Sequence, residues 1–279
     1  MYNSSNYSKP CVSAFFLCTD SLIGALRIVS TMVKETAQIQ FYSSGIIVEV
    51  LEENAKAKIE IHKSDMHHYV FNNNPKTGAA VECYCVDVDL EELAKKLKSD
   101  KKACIILSVY MKKTSKMVDV CITQENQNYC VNLDGKMSYD PYDNPGDIFK
   151  ENYENDSAVS IFDNATLKTL FTKFKGKDYH SIEFCYRDGF PVTASSKCQN
   201  VTITLPHPEK DRYLQSDTED ERETKLVITQ DNICQILGIL KLGLSNTIKV
   251  YLKHDAPLIF RSKISNYGVF ELLINEDII

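Results

Sequence analysis

Apolar residues change their spacing along the chain, and the changes mark out its elements. A short alternating run near Val12 to Cys18 leads into DSLIGALRIVSTMVKET, where Leu22, Ile23, Leu26, Val29 and Val33 recur at steps of three and four. That period predicts an amphipathic helix with its apolar stripe on a core, and Asp20 is placed to cap it. Steps of two follow in AQIQFY, GIIVEVLE and AKIEIH, which predict strands, the first two divided by a Ser-Ser-Gly turn. After a polar loop the strand AVECYCVDV runs into a second short helix, DLEELAKKLKS. The strands KACIILSVY, MVDVCIT and NYCVNL close this half.

The same order then recurs. SAVSIF leads to the helix NATLKTLFTKFK and the strands HSIEFCYRD, GFPVTAS and NVTITLP, the first two joined by an Asp-Gly turn. An acidic loop, HPEKDRYLQSDTEDERE, precedes the strand TKLVIT, the helix TQDNICQILGILKL and the strands NTIKVYLK, APLIFRSKI and GVFELLI. Between the halves, residues 134–156 hold two prolines, two glycines and no sustained period, which reads as an exposed linker. The chain is therefore an α+β protein of two similar domains, 1–133 and 157–279. Each has two helices packed on about eight antiparallel strands.

Composition changes little in this picture. Hydrophobic residues make up 43% and charged residues 25% of the 279, enough for a sizeable core. Most of the ten cysteines lie inside apolar strand runs, as Cys104, Cys121 and Cys185 do, which fits thiols in a reducing, intracellular compartment better than a disulfide framework. Cys83 and Cys85 form a C-x-C whose side chains share one strand face, but no second pair at zinc spacing accompanies them, so no metal site is expected. His67, His68 and Asp65 read as a solvated loop. No apolar leader and no run of membrane-spanning length is present. No P-loop, G-x-S-x-G, H-E-x-x-H or dinucleotide fingerprint is present either, so neither an enzyme nor a cofactor is expected.

Three segments carry a resemblance. VDLEELAKKLK, RDGFPVTAS and above all the terminal hairpin DAPLIFRSKISNYGVFELLI, with Pro257 and Gly268, resemble segments of the eukaryotic-type DNA sliding clamps, the family of proliferating cell nuclear antigen (PCNA). The resemblance covers nearly the whole chain and implies a clamp fold, with subunits arranged head to tail in a ring, as a homotrimer. Helices would line the hole, through which duplex DNA threads, and the ring would tether a DNA polymerase and other clamp-binding proteins. It implies no cofactor, and a site of action in the nucleus or at a cytoplasmic viral replication site. A chain rich in Asn, Lys, Ile and Tyr, so divergent from cellular clamps, points to a large DNA virus. A checkpoint-type heteromeric clamp subunit, a viral transcription factor on the same fold and a monomeric or dimeric processivity factor are the alternatives.

Charge segregates as a ring requires. The four helices carry +5 together against a chain total of −6, leaving −11 elsewhere. Leu90, Leu93 and Leu97 make the buried stripe of the second helix, opposite Lys95, Lys98 and Lys102. In the third, Leu167, Leu170, Phe171 and Phe174 face the core and leave Lys168 and Lys175 outward. Arg27 and Lys34 share a face of the first helix, and Lys241 stands alone on the fourth. By resemblance Lys95, Lys98 and Lys241 match channel positions. Gly24 and Ala25 stand near where lysines are common, and the third helix does not match position by position. The resemblance also implies a peptide pocket at Leu51, Pro257 and Leu273, the last where an aromatic is often found. Ile148 and Phe149 of the linker would wall that pocket or simply pin the linker. It implies subunit joints between the strands holding Tyr129, Val131 and Leu133 and those holding Val201, Ile203 and Leu205.

Overall fold

The computed structural model of the protein describes residues 9–17, 19–32, 37–51, 55–96, 104–112, 117–124, 129–138, 159–173, 181–186, 193–196, 201–204, 224–242, 245–251 and 257–274. They fall into two compact units. The first comprises Met1–Leu51, Ala57–Asn144 and Lys263–Phe270, the second Glu52–Lys56, Pro145–Ser262 and Glu271–Ile279.

In the first unit β1 (Val12–Phe16), α1 (Asp20–Thr31), β2 (Ala37–Tyr42), β3 (Gly45–Leu51) and β4 (Ala55–His62) form one β-α-β-β-β motif. After β5 (His68–Phe71), a second follows: β6 (Cys83–Val88), α2 (Leu90–Lys96), β7 (Ile105–Met111), β8 (Met117–Gln124) and β9 (Tyr129–Ser138). The second unit repeats this. β10 (Val159–Asp163), α3 (Asn164–Lys173), β11 (Ser181–Tyr186), β12 (Thr193–Ser196) and β13 (Val201–Thr204) precede β14 (Thr224–Thr229), α4 (Gln230–Leu242), β15 (Thr247–Tyr251), β16 (Leu258–Lys263) and β17 (Val269–Ile274).

The two motifs of each unit exchange their first strands. β1 pairs with β7 and β6 with β2 in the first unit; β10 pairs with β15 and β14 with β11 in the second. All these pairs are antiparallel, so each motif completes the other's sheet. In the first unit the strand order is β4-β3-β2-β6-β9-β8-β7-β1-β5; in the second, β10-β15-β16-β17 and β13-β12-β11-β14. Helix packs on helix, α1 on α2 and α3 on α4.

The predicted apolar stripes form the cores. Ile23, Val29, Phe41, Ile59, Val86 and Leu90 are buried in the first unit. Phe171 in the second lies 6.0 Å from both Phe184 and Phe260, ring contacts worth about 0.5–1.5 kcal/mol each beyond burial. Three helices start on side-chain caps. Asp89 accepts from the Glu92 N–H at 2.8 Å and Asp163 from Thr166 at 2.9 Å. The Thr229 N–H donates to Asn232 Oδ1 and the Asn232 N–H to Thr229 Oγ1, a reciprocal capping box.

Three features differ from the sequence reading. Thr19 rather than Asp20 holds the N-cap position of α1, and its buried hydroxyl caps nothing; Asp20 is the first helical residue, where its charge still favours the helix N-terminus. His68, read as loop, opens the strand β5, which pairs with β1 (Phe15 opposite His68). The last strand of the first half does not stop at Leu133. It runs to Ser138, because β8 offers backbone partners as far as Met117 opposite Lys136, and β6 takes over at Asp87 to Cys85. Beyond the reach of the sequence reading, the polar positions of β2 are not solvated. Gln38 and Gln40 are buried with Glu49, and Gln40 Nε2 donates to Glu49 at 3.0 Å and to Gln38 at 2.9 Å. Buried amides demand such partners.

Among the described residues no helix is long and apolar enough to cross a membrane.

Candidate nucleic-acid interface

Among the described residues, the helix faces left after packing carry few cations. On α1, Leu22, Ile23, Leu26 and Val29 are buried as their spacing requires, and so are Gly24 and Ala25. A lysine at either would be driven into the packed interior, so the departure from the clamp pattern there is a packing requirement. Arg27 is exposed on α1.

On α2, Leu90 and Leu93 are buried and Lys95 points outward, with its Nζ 2.6 Å from Glu91 one turn back. The hydrogen bond that Lys95 donates to Glu91 raises the Lys95 pKa, and the ammonium is fully charged at neutral pH. Asp89, Glu91 and Glu92 are exposed beside it, so the start of α2 is acidic and a phosphate would compete with Glu91 for Lys95. That pairing was readable from the i, i+4 spacing and was missed.

On α3, Leu167 and Phe171 are buried and Lys168 is exposed among Ala165, Thr169 and Thr172. The two threonine hydroxyls donate to carbonyls one turn back, so among the described residues Lys168 is the charged group of that face. Lys241 lies in the last turn of α4. Lys34, Lys98, Lys102 and Lys175 lie outside the described residues, as do Leu97 and Phe174.

The expected subunit joints fall on two strands. Tyr129, Val131 and Leu133 lie on β9, whose first half is bonded to β8 on one side, while its bonds to β6 begin only at Lys136. Val201 and Ile203 lie on β13, which ends the order of its sheet and pairs with β12. Leu205 is outside the described residues. Of the expected peptide pocket, Leu51 ends β3, Pro257 is half-buried before β16 and Leu273 is buried on β17; Ile148 and Phe149 are outside the described residues.

Among the described residues no three His, Cys, Asp or Glu side chains gather as a metal would need. His67 and His68 are both exposed, and the His67 ring lies edge-on to Phe15 at 5.0 Å.

No family model matches the sequence, and no curated protein matches it either. The structure is similar to that of Proliferating Cellular Nuclear Antigen from Entamoeba histolytica, with a TM-score of 0.66 at 14% identity. The match covers 96% of this chain and 99% of that one. Doubled β-α-β-β-β units, paired helices and antiparallel sheets along almost the whole length make this a PCNA-type clamp fold.

Proposed function

We propose that the chain is the subunit of a DNA sliding clamp, a non-catalytic scaffold that encircles duplex DNA and raises the processivity of a DNA polymerase. The observation that carries this reading is the clamp fold over 96% of the chain. In this reading three copies close head to tail, β9 of one subunit pairing with β13 of the next. Pairing between copies satisfies strand edges that would otherwise invite aggregation. The helices face the duplex, with Arg27, Lys34, Lys95, Lys98, Lys102, Lys168, Lys175 and Lys241 toward phosphates. Such contacts carry no sequence information and weaken with salt. Weak contact suits a ring, because topology retains it while it slides. Client peptides dock at Leu51, Ile148, Phe149, Pro257 and Leu273, as a short helix in an apolar groove.

Light scattering and a topology assay test this together. A closed homotrimer has a mass of roughly three times the 31.7 kDa subunit and, once loaded, stays on nicked circular DNA but runs off after linearisation. A monomer held equally on circular and linear DNA would refute encirclement and point to a clamp-fold factor that binds from one side.

A further inference from the structure

Cys83 and Cys85 flank Tyr84 on β6. The Tyr84 ring is buried against Phe71, 5.2 Å away, and its hydroxyl donates to the Asn72 carbonyl at 2.9 Å. With that side chain anchored on one face of the strand, both thiols are fixed on the other. Their sulfurs stand 3.5 Å apart. Register places Tyr42 opposite Cys83 and Gln40 opposite Cys85. Cys83 is partly exposed and Cys85 almost fully buried.

We propose that Cys83 and Cys85 form a peroxide-reactive dithiol, in which Cys83 is oxidised first and Cys85 resolves it to a reversible disulfide. The Cys83 thiolate attacks one oxygen of a hydroperoxide such as hydrogen peroxide. An S–O bond forms, the O–O bond breaks, and the leaving hydroxide takes up the thiol proton as water. Cys85 sulfur then displaces the hydroxyl from Cys83. An S–S bond forms, the S–O bond breaks, and the Cys85 proton leaves with the hydroxyl as a second water. Two thiols and one peroxide thus give one disulfide and two waters.

Three properties set this pair apart. A partly exposed thiol beside a resolving thiol is the arrangement that reacts reversibly. The hydrogen bond from Cys85 is the largest influence on Cys83 and pulls its pKa down; burial opposes it, and the Tyr42 phenol and the Phe41 backbone add to the lowering. Burial instead pushes the Cys11 thiol up, so the buried thiols are not all alike. Closure also strains the strand. Two residues of an extended strand span about 6.7 Å, near the upper limit of about 6.8 Å for a disulfide's Cα separation. β6 must therefore pucker against β2, and the strained bond is readily reduced, as a reversible modification requires.

The test is peptide mapping of the full-length protein after one equivalent of hydrogen peroxide, with and without a sulfenic-acid trap. The wild-type peptide carrying both residues should lose the mass of two hydrogens and regain it with dithiothreitol. In C85S the trap should mark Cys83, and in C83S neither product should form there. Exposure alone would favour Cys234, which is exposed on α4. Modification of Cys234 before the pair would overturn the proposal. So would a wild-type Cys83 that is trapped as the sulfenic acid without closing on Cys85. The wild-type mapping decides the matter even where a variant fails to fold.

Discussion

The terminal hairpin turns on Gly268, and replacing it with alanine tests how firmly that turn is fixed. Ser265 (φ 50°) and Gly268 (φ +115°) both adopt left-handed backbone; the Tyr267 N–H donates to the Ile264 carbonyl at 2.8 Å and the Ile264 N–H to the Gly268 carbonyl at 2.9 Å. Tyr267 is buried, and its ring meets Phe16 edge-on at 5.7 Å. A Cβ at Gly268 would land on the carbonyl oxygen of Glu60 and lie 3.0 Å from the Ile61 Cα, and both are backbone atoms of β4 that cannot rotate away. Left-handed strain contributes about 1–3 kcal/mol, and forced overpacking about 1–3 kcal/mol more. Gly268→Ala should therefore destabilise by about 2–6 kcal/mol, a large share of a typical domain's stability.

Gly78→Ala is the control. Gly78 also has positive φ (+73°), yet nothing lies within 4 Å of where its Cβ would stand. It should lose only the backbone term, about 1 kcal/mol. Urea denaturation followed by far-ultraviolet circular dichroism measures both, compared through midpoints at unchanged slope. The steric argument is refuted if the two variants fall within about 1 kcal/mol of each other.

Phe171→Ala removes a ring that is 1% exposed and should cost about 3–5 kcal/mol by the same titration; a loss below 1 kcal/mol would mean that the α3 core is loosely packed. Glu91→Gln releases Lys95 and should tighten duplex DNA binding about twofold in fluorescence anisotropy at low salt. Lys95→Gln should instead lower the salt slope by about one. Equal effects of the two changes would show that Lys95 is not near phosphate. Tyr84, pushed up to about 12 by burial first and then by Cys11, keeps its proton in the folded protein above its ordinary value of 10.0. The unfolded chain then binds fewer protons. The stabilisation is therefore intact below about pH 10 and lost as pH rises through about 12. Between about pH 8 and about pH 11 the wild type should lose more urea resistance than Tyr84→Phe, and an equal loss would refute that assignment.

Much of this fold was legible because each element's period is local. The three- and four-residue steps of Leu22 to Val29 and of Leu167 to Phe171 identified helices whose stripes are buried, and steps of two identified β2, β3 and β11. β5 was missed because four residues that begin at the second of two histidines show no sustained alternation; what makes HYVF a strand is β1 lying beside it. The burial of Gln38 and Gln40 was not legible for a related reason. Alternation separates two faces but does not say whether the polar one meets water, and here a Gln–Glu network makes it habitable inside.

The candidate site divides along the same line. Spacing alone put Lys95 and Lys168 opposite their apolar stripes, and both are exposed. Partner choice is what the chain conceals. The exchange of first strands joins residues 89 to 97 apart in β1 and β7 and 41 to 51 apart in β2 and β6, and leaves no mark in either segment's period. That exchange also sets the chemistry of β6, because pairing with β2 brings Tyr42 and Gln40 opposite the two cysteines. A C-x-C on a strand paired elsewhere would have the same sequence signature and different neighbours. The reactivity proposed for Cys83 thus depends on a long-range pairing, and a change that loosens β6 from β2 should abolish it even with both cysteines intact.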